Sequence, residues 1–266
     1  MRKFLIFVIA AALILPASAQ AATKRKPKYE VVEVTSGGTI KGKIKTGVKV
    51  SDPSIHIKIK AKENPLETKQ EKDTCGENQK AFLYEVSPAG EVKNALVIVE
   101  NVKKGKAPPK ADLNIDNVKC RFTPLVGIAY VKSNYVIKNS DPLLHNTSIG
   151  KILKGGVRRT VYNLALPYKD QVITKPNRVA GLLNVKCDAH PWMRAYIYSS
   201  RHPYVAITDE SGNFEITDLL PGTYSVRIWH EGFEDIVKEV QVGAGKTAGL
   251  NETFSVARTP EVLSGK

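Results

Sequence analysis

Polar and apolar positions alternate along most of this chain with a period of two. Period-2 or β-branched runs fall at 29–34, 39–46, 54–61, 95–100, 134–138, 182–187, 195–199, 212–216, 224–229 and 236–242. Turn-forming clusters separate them: "SGG", "SPAGE", "SDP", "DESGN" and "PGTY". No long amphipathic helix is evident. Short strands at this spacing predict an all-β protein of antiparallel sheets packed face to face. "KKGKAPPK" (103–110) reads as a charged, proline-containing linker, 22–28 as a basic start and 258–266 as a tail.

One segment breaks the alternation. Met1-Arg2-Lys3 precedes an apolar run from Phe4 to Leu15, then Pro16 and the small-residue pattern Ala17-Ser18-Ala19. This is the layout of a secretory signal peptide over 1–21, cleaved near Ala19 or Ala21. The run is too short for a hydrocarbon core that needs about 20 residues. The expectation is an exported protein, periplasmic or secreted, with no transmembrane segment in the mature chain. Charge then changes the picture of its partners. Residues 111–200 carry 13 basic and 5 acidic side chains, a net +8, whereas 201–266 carry 6 and 10, a net −4. Outside the cytoplasm such a basic surface points to an acidic protein or an anionic membrane rather than nucleic acid. Lysine-rich strands also occur simply as solvated edges.

The candidate chemistry lies in "VKCDAHPWMRAYI". Cys187, His190 and Met193 fall at steps of three, a thiol, an imidazole and a thioether within seven residues. In an oxidising compartment two of the three cysteines would ordinarily pair. Cys187 has a reason to stay unpaired, as a metal-bound thiolate, which leaves Cys75–Cys120 as the expected disulfide. The competing arrangement pairs Cys187 with Cys75 or Cys120 and leaves His190 and Met193 as packing residues. Leu183 and Val185 share the parity of Cys187, which aims the thiol at a core. Zinc is disfavoured, because thioether is a poor zinc ligand and the only carboxylate in the stretch is Asp188. His56, His202 and His230 are scattered, with no spacing that suggests a second, open metal site. No nucleophile constellation or phosphate loop is present, and "GAGK" (243–246) is a turn, so no enzyme activity is expected.

Upstream stands "VIKNSDPLLHNTS", with His145 and Asn146 after a strand and a turn. This His-Asn followed by Cys-x-x-His-Pro-aromatic-Met-Arg resembles the cupredoxin copper site, most closely the amicyanin type. The resemblance implies one type 1 (blue) copper held by His145, Cys187, His190 and Met193. It implies that Asn146 ties its loop to the backbone beside Cys187, and that an electron port lies at the partly exposed edge of His190 beside Pro191 and Trp192. The early "GGTIKGKIKTG" and "AGEVKNALVIVE" and the late "AITDESGNFEITDLLPGTYSVRIWHEGFEDIVKEVQV" resemble two halves of a carboxypeptidase regulatory-like module, a transthyretin-like β-sandwich. Together they are similar to periplasmic proteins of the methylamine-utilisation type. The implied organisation is a Greek-key cupredoxin sandwich at 107–200, inserted between halves at 29–106 and 201–250 of the second sandwich. The implied function is single-electron transfer with an acidic partner such as a c-type cytochrome. The alternative is a cell-envelope binding or scaffold module whose cupredoxin-like domain stores copper or holds none.

Overall fold

The computed structural model describes residues 29–49, 54–56, 65–80 and 84–258. The expected signal segment 1–21, the basic start 22–28 and nearly all of the tail therefore lie outside the described residues. Early in the chain come β1 (Gly38–Thr46), α1 (Pro65–Cys75) and β2 (Leu96–Val99). Then follow β3 (Leu113–Asn117), β4 (Phe122–Thr123), β5 (Val126–Tyr130), β6 (Asn134–Asn139), β7 (His145–Ile152), β8 (Arg158–Leu166), β9 (Val172–Pro176), β10 (Gly181–Lys186) and β11 (Arg194–Ser200). The late strands are β12 (Val205–Ile207), β13 (Asn213–Leu219), β14 (Gly222–His230), β15 (Phe233–Val242), β16 (Thr247–Gly249) and β17 (Glu252–Phe254).

Among the described residues the protein is all-β apart from α1 and one short turn of 3-10 helix. Its main sheets are four. Strands β3 to β11 form two of them, in the orders β9-β6-β3-β4 and β8-β7-β10-β11-β5. Early and late strands form the other two, β12-β2-β14-β15 and β13-β1-β16, with β17 also on β1. Thus β2 pairs with β12 and β14 across roughly a hundred intervening residues, a loop whose closure entropy grows only slowly with length.

Apolar side chains stack these sheets as layers. One core fills the space between the two β3–β11 sheets and includes Ile137, Ile149, Leu183, Val185, Cys187 and Met193. A second fills the early–late sandwich, with Ile40, Val97, Val99, Ile228 and Phe254 among its members. A third joins the sandwiches: Leu96, Ile98, Val205 and Trp229 meet Val126, Ile128, Leu182, Tyr196 and Tyr198. The run "LVIV" of β2 is buried throughout because its alternate residues serve two different cores. Burying each such aliphatic side chain contributes about 1.5–3 kcal/mol. At the rim of this junction Arg194 of β11 lies 3.4 Å from Glu231, just after β14, with both side chains buried.

Turn chemistry holds the late sandwich in register. In "DESGN" the Asp209 carboxylate accepts the N–H groups of Ser211 (2.9 Å) and Asn213 (2.8 Å). Gly212 sits at φ 72° with its would-be Cβ 2.4 Å from the Ile44 carbonyl oxygen, so only glycine fits there.

Helix α1 departs from the sequence expectation. It comes from the early half of the chain yet attaches to the β3–β11 side. Cys75 at its end is disulfide-bonded to Cys120, and Gln70 donates to the Pro142 carbonyl at 2.8 Å.

Candidate metal centre

His145 opens β7, Cys187 directly follows β10, and His190 and Met193 lie on the turn into β11. Because β7 and β10 are paired neighbours, their ends bring residues 42 apart in sequence together. The turn is closed at both ends. Met193 N–H donates to the His190 carbonyl at 2.8 Å, and Cys187 N–H donates to the Met193 carbonyl at 3.4 Å. All four side chains are buried: His145 is 0% exposed, Met193 1%, Cys187 3% and His190 4%.

Both imidazoles present the same nitrogen to the sulfur. Nδ1 of His145 lies 3.9 Å from Cys187 Sγ, and Nδ1 of His190 lies 3.6 Å from it. The three ligand atoms fall within 4.8 Å of one another. Bonds of roughly 2 Å from each could meet at one ion in that space. Met193 packs in the same buried cluster as Cys187. Cys75 and Cys120 lie close by, but their sulfurs are committed to each other, and Cys187 is free. The alternative in which Cys187 takes part in a disulfide is excluded by that pairing.

The surroundings poise these groups for a metal. Burial pushes the Cys187 thiol up, but the His145 and His190 rings and the Asn146 N–H, 3.5 Å from Sγ, pull it down to about 6. His145 Nε2 is 2.9 Å from Asp141 Oδ2. An ionised carboxylate only accepts, so Nε2 carries the proton and the Nδ1 lone pair faces the sulfur. Asp141 in turn accepts the N–H groups of Lys119 (2.7 Å) and Cys120 (2.8 Å). Burial opposes ionisation of Asp141, but these donors and His145 outweigh it and hold its carboxyl below the usual range. Burial likewise opposes charging of His145, and its contacts with Asp141 and Cys187 raise its pKa in spite of it.

Asn146 ties the two loops together. Its Oδ1 accepts from the backbone N–H of Asp188 and of Ala189 (3.3 Å), and it lies 3.5 Å from Cys187 Sγ. Its amide donates to Asn163 (2.8 Å) and Asp188 (2.9 Å).

The sequence expectation places an electron port at a partly exposed edge of His190 beside Pro191 and Trp192. Pro191 is exposed and Trp192 half-buried, with the Trp192 indole N–H 3.3 Å from the Cys120 carbonyl. His190 itself is buried, and its Nε2 faces Glu71 of α1 at 3.5 Å. A helix absent from the sequence reading covers that edge. Sequence reasoning also missed Asp141 and Glu71 as partners of the rings. Asp141 carried a signal, an aspartate four residues before His145; Glu71 carried none.

Comparison with known proteins adds a family for one part of the chain. The family model described as carboxypeptidase regulatory-like domain matches residues 195–255. No curated relative matches the chain. Among solved structures, a purple cupredoxin from Nitrosopumilus maritimus is 20% identical, covering 34% of this chain and 100% of that one, with a TM-score of 0.29. A Cu(I) form of an amicyanin mutant is 14% identical over 39% of this chain and 98% of its own, at a TM-score of 0.29. A copper-containing nitrite reductase from Thermus scotoductus SA-01 is 17% identical; the match spans 36% of this chain and 24% of that enzyme, at a TM-score of 0.28.

Proposed function

We propose that this protein is an exported carrier of single electrons, with one type 1 copper held by His145, Cys187, His190 and Met193. The observation that carries the reading is the convergence of two imidazole Nδ1 atoms on one free, buried thiol. Two imidazoles and a thiolate with a weak thioether suit copper in both oxidation states. Copper would supply the one-electron couple. The chain supplies a dry pocket, a deprotonated sulfur, and rings whose tautomer is set from behind. With four protein donors no position is left for a substrate, so the reading is of a carrier and not an enzyme.

In this reading residues 107–200 are the cupredoxin-like copper domain. Residues 29–106 and 201–250 form the carboxypeptidase regulatory-like sandwich around it, and the leader 1–21 directs export. The supporting facts are that β3–β11 pair among themselves and that the family match, residues 195–255, covers the late strands together with most of β11. Among the described residues no helix is long and apolar enough to cross a membrane. The basic copper-bearing segment suits an acidic redox partner such as a c-type cytochrome.

The burial of His190 favours a second reading, a cell-envelope module that stores copper without passing electrons. Spectroelectrochemistry of the copper-loaded protein separates the two. A carrier cycles reversibly between Cu(II) and Cu(I) over repeated sweeps. A storage module holds Cu(I) and releases the metal when oxidised, which would overturn the carrier reading.

A further inference from the structure

Helix α1 has an unusual buried face. Glu71 is 7% exposed and Cys75, one turn later, is 3% exposed, while Lys69 and Asp73 form an exposed pair on the other side. A carboxylate is costly to bury unless a donor or a positive charge faces it. One group close to Glu71 Oε1 is Nε2 of His190, at 3.5 Å. Attachments that place the helix there include the Cys75–Cys120 disulfide, the Gln70 bond to the Pro142 carbonyl and the Glu71 contact itself. The same segment 119–120 that receives the disulfide also donates two N–H groups to Asp141, the carboxylate behind His145. Both rings turn Nδ1 toward Cys187 Sγ and Nε2 toward a buried carboxylate, His145 in a 2.9 Å hydrogen bond and His190 in a longer 3.5 Å contact.

We propose that Glu71 is a positioning residue for His190, carried in on a helix clasped by the Cys75–Cys120 disulfide. It accepts the Nε2 proton, leaves the Nδ1 lone pair facing the sulfur, and closes over the ring edge through which an exposed histidine would exchange electrons. The proposal rests on the reading that the Nδ1 atoms hold copper. A carboxylate behind a ligating imidazole raises its basicity and favours the more highly charged metal. Glu71 thus holds the reduction potential below that of the same centre without it. Electrons must then leave beside Pro191 and Trp192 or after α1 swings away.

The test compares the full mature chain with Glu71→Ala and Glu71→Gln, and with Glu77→Ala as an exposed control just beyond the helix. Two readouts are used. Nitrogen-15 ring spectra of the metal-free proteins at pH 8 report the His190 tautomer, and redox titration of the copper-loaded proteins reports the potential. The wild type should show the Nε2–H form; Glu71→Ala should show a mixture, a higher potential and about 10–100-fold weaker copper affinity. Glu71→Gln keeps an acceptor without the charge, so it should retain the tautomer while the potential still rises. Glu77→Ala should match the wild type. A wild-type tautomer and potential in a folded Glu71→Ala would overturn the proposal. If Glu71→Ala fails to fold, Glu71→Gln decides, and an unshifted potential there overturns it. Should the wild type bind no copper at all, the carrier reading falls, while the ring spectra still decide what Glu71 does to His190.

Discussion

At the residue scale, Asp141 and Asn146 do different work and their losses should differ. Asp141 sets the tautomer of His145, so Asp141→Asn should weaken copper binding by about 10–100-fold. Competition against a Cu(I) chelator measures it, and wild-type affinity would remove Asp141 from the site. Asn146 satisfies backbone donors beside Cys187, so Asn146→Ala leaves two N–H groups without their acceptor and should cost about 1–3 kcal/mol of stability. Urea unfolding of the metal-free protein reads that cost. The ligand-type residues were legible in the sequence because thiol, imidazole and thioether in steps of three are chemically conspicuous. Their carboxylate partners were less so: Asp141 is marked only by its place four residues before His145, and Glu71, one of 26 acidic residues and far from His190 in sequence, by nothing.

At the element scale, strands with a polar face were legible and strands with two occupied faces, or none, were less so. The runs at 39–46, 134–138 and 224–229 lie within observed strands because alternation marks one buried face. Strand β8, "RRTVYNLAL", lies at a sheet edge with Arg158 half-buried and Arg159 exposed, so no clean apolar face marks it, and β3, β5, β7, β9 and β12 likewise lack a marked pattern. Helix α1 was invisible for a sharper reason. Among its described side chains the buried side is made of Glu71 and Cys75 with Thr68 partly covered, which is no apolar stripe. Pro65 at its first position and the good helix formers after it were the available signal. The two-faced strand β2 gives a prediction. Ile98→Ala empties part of the core between the sandwiches and should cost about 2–5 kcal/mol by urea unfolding. The metal site, on the far side of the β8-β7-β10-β11-β5 sheet, should keep its copper spectrum; a changed spectrum would show that the junction supports the site.

At the scale of the whole molecule, the pairing of early with late strands was legible because recognisable strands stand on either side of a long segment with its own chemistry. How the sandwiches join was not, because the faces of β2, β11 and β14 that meet there read as ordinary alternation. The two sandwiches should also respond differently to acid. Burial lowers the pKa of His202 to about 4, and burial followed by Arg258 lowers that of His230 to about 3. Both are held neutral in the fold, whereas the unfolded chain takes up protons below about 6.5. Their stabilisation is therefore whole above pH 6.5 and drains away as the pH falls toward 4 and then 3. Thermal unfolding followed from pH 7 to 4 should show a falling midpoint, less steep in His230→Gln; an unchanged slope in that variant would contradict the assignment. The net +8 of residues 111–200 predicts that electron exchange with an acidic partner slows as salt rises, because exposed charges are screened beyond about 10 Å at 0.1 M. A second-order rate flat across that range would exclude steering.

The visible spectrum of the mature chain after addition of Cu(II) tests the central claim most directly. The account predicts an intense thiolate-to-copper band, blue to green, at one copper per chain, and its loss in Cys187→Ser with the β fold intact. A colourless wild type that keeps Cys187 free, or a band that survives Cys187→Ser, would contradict it.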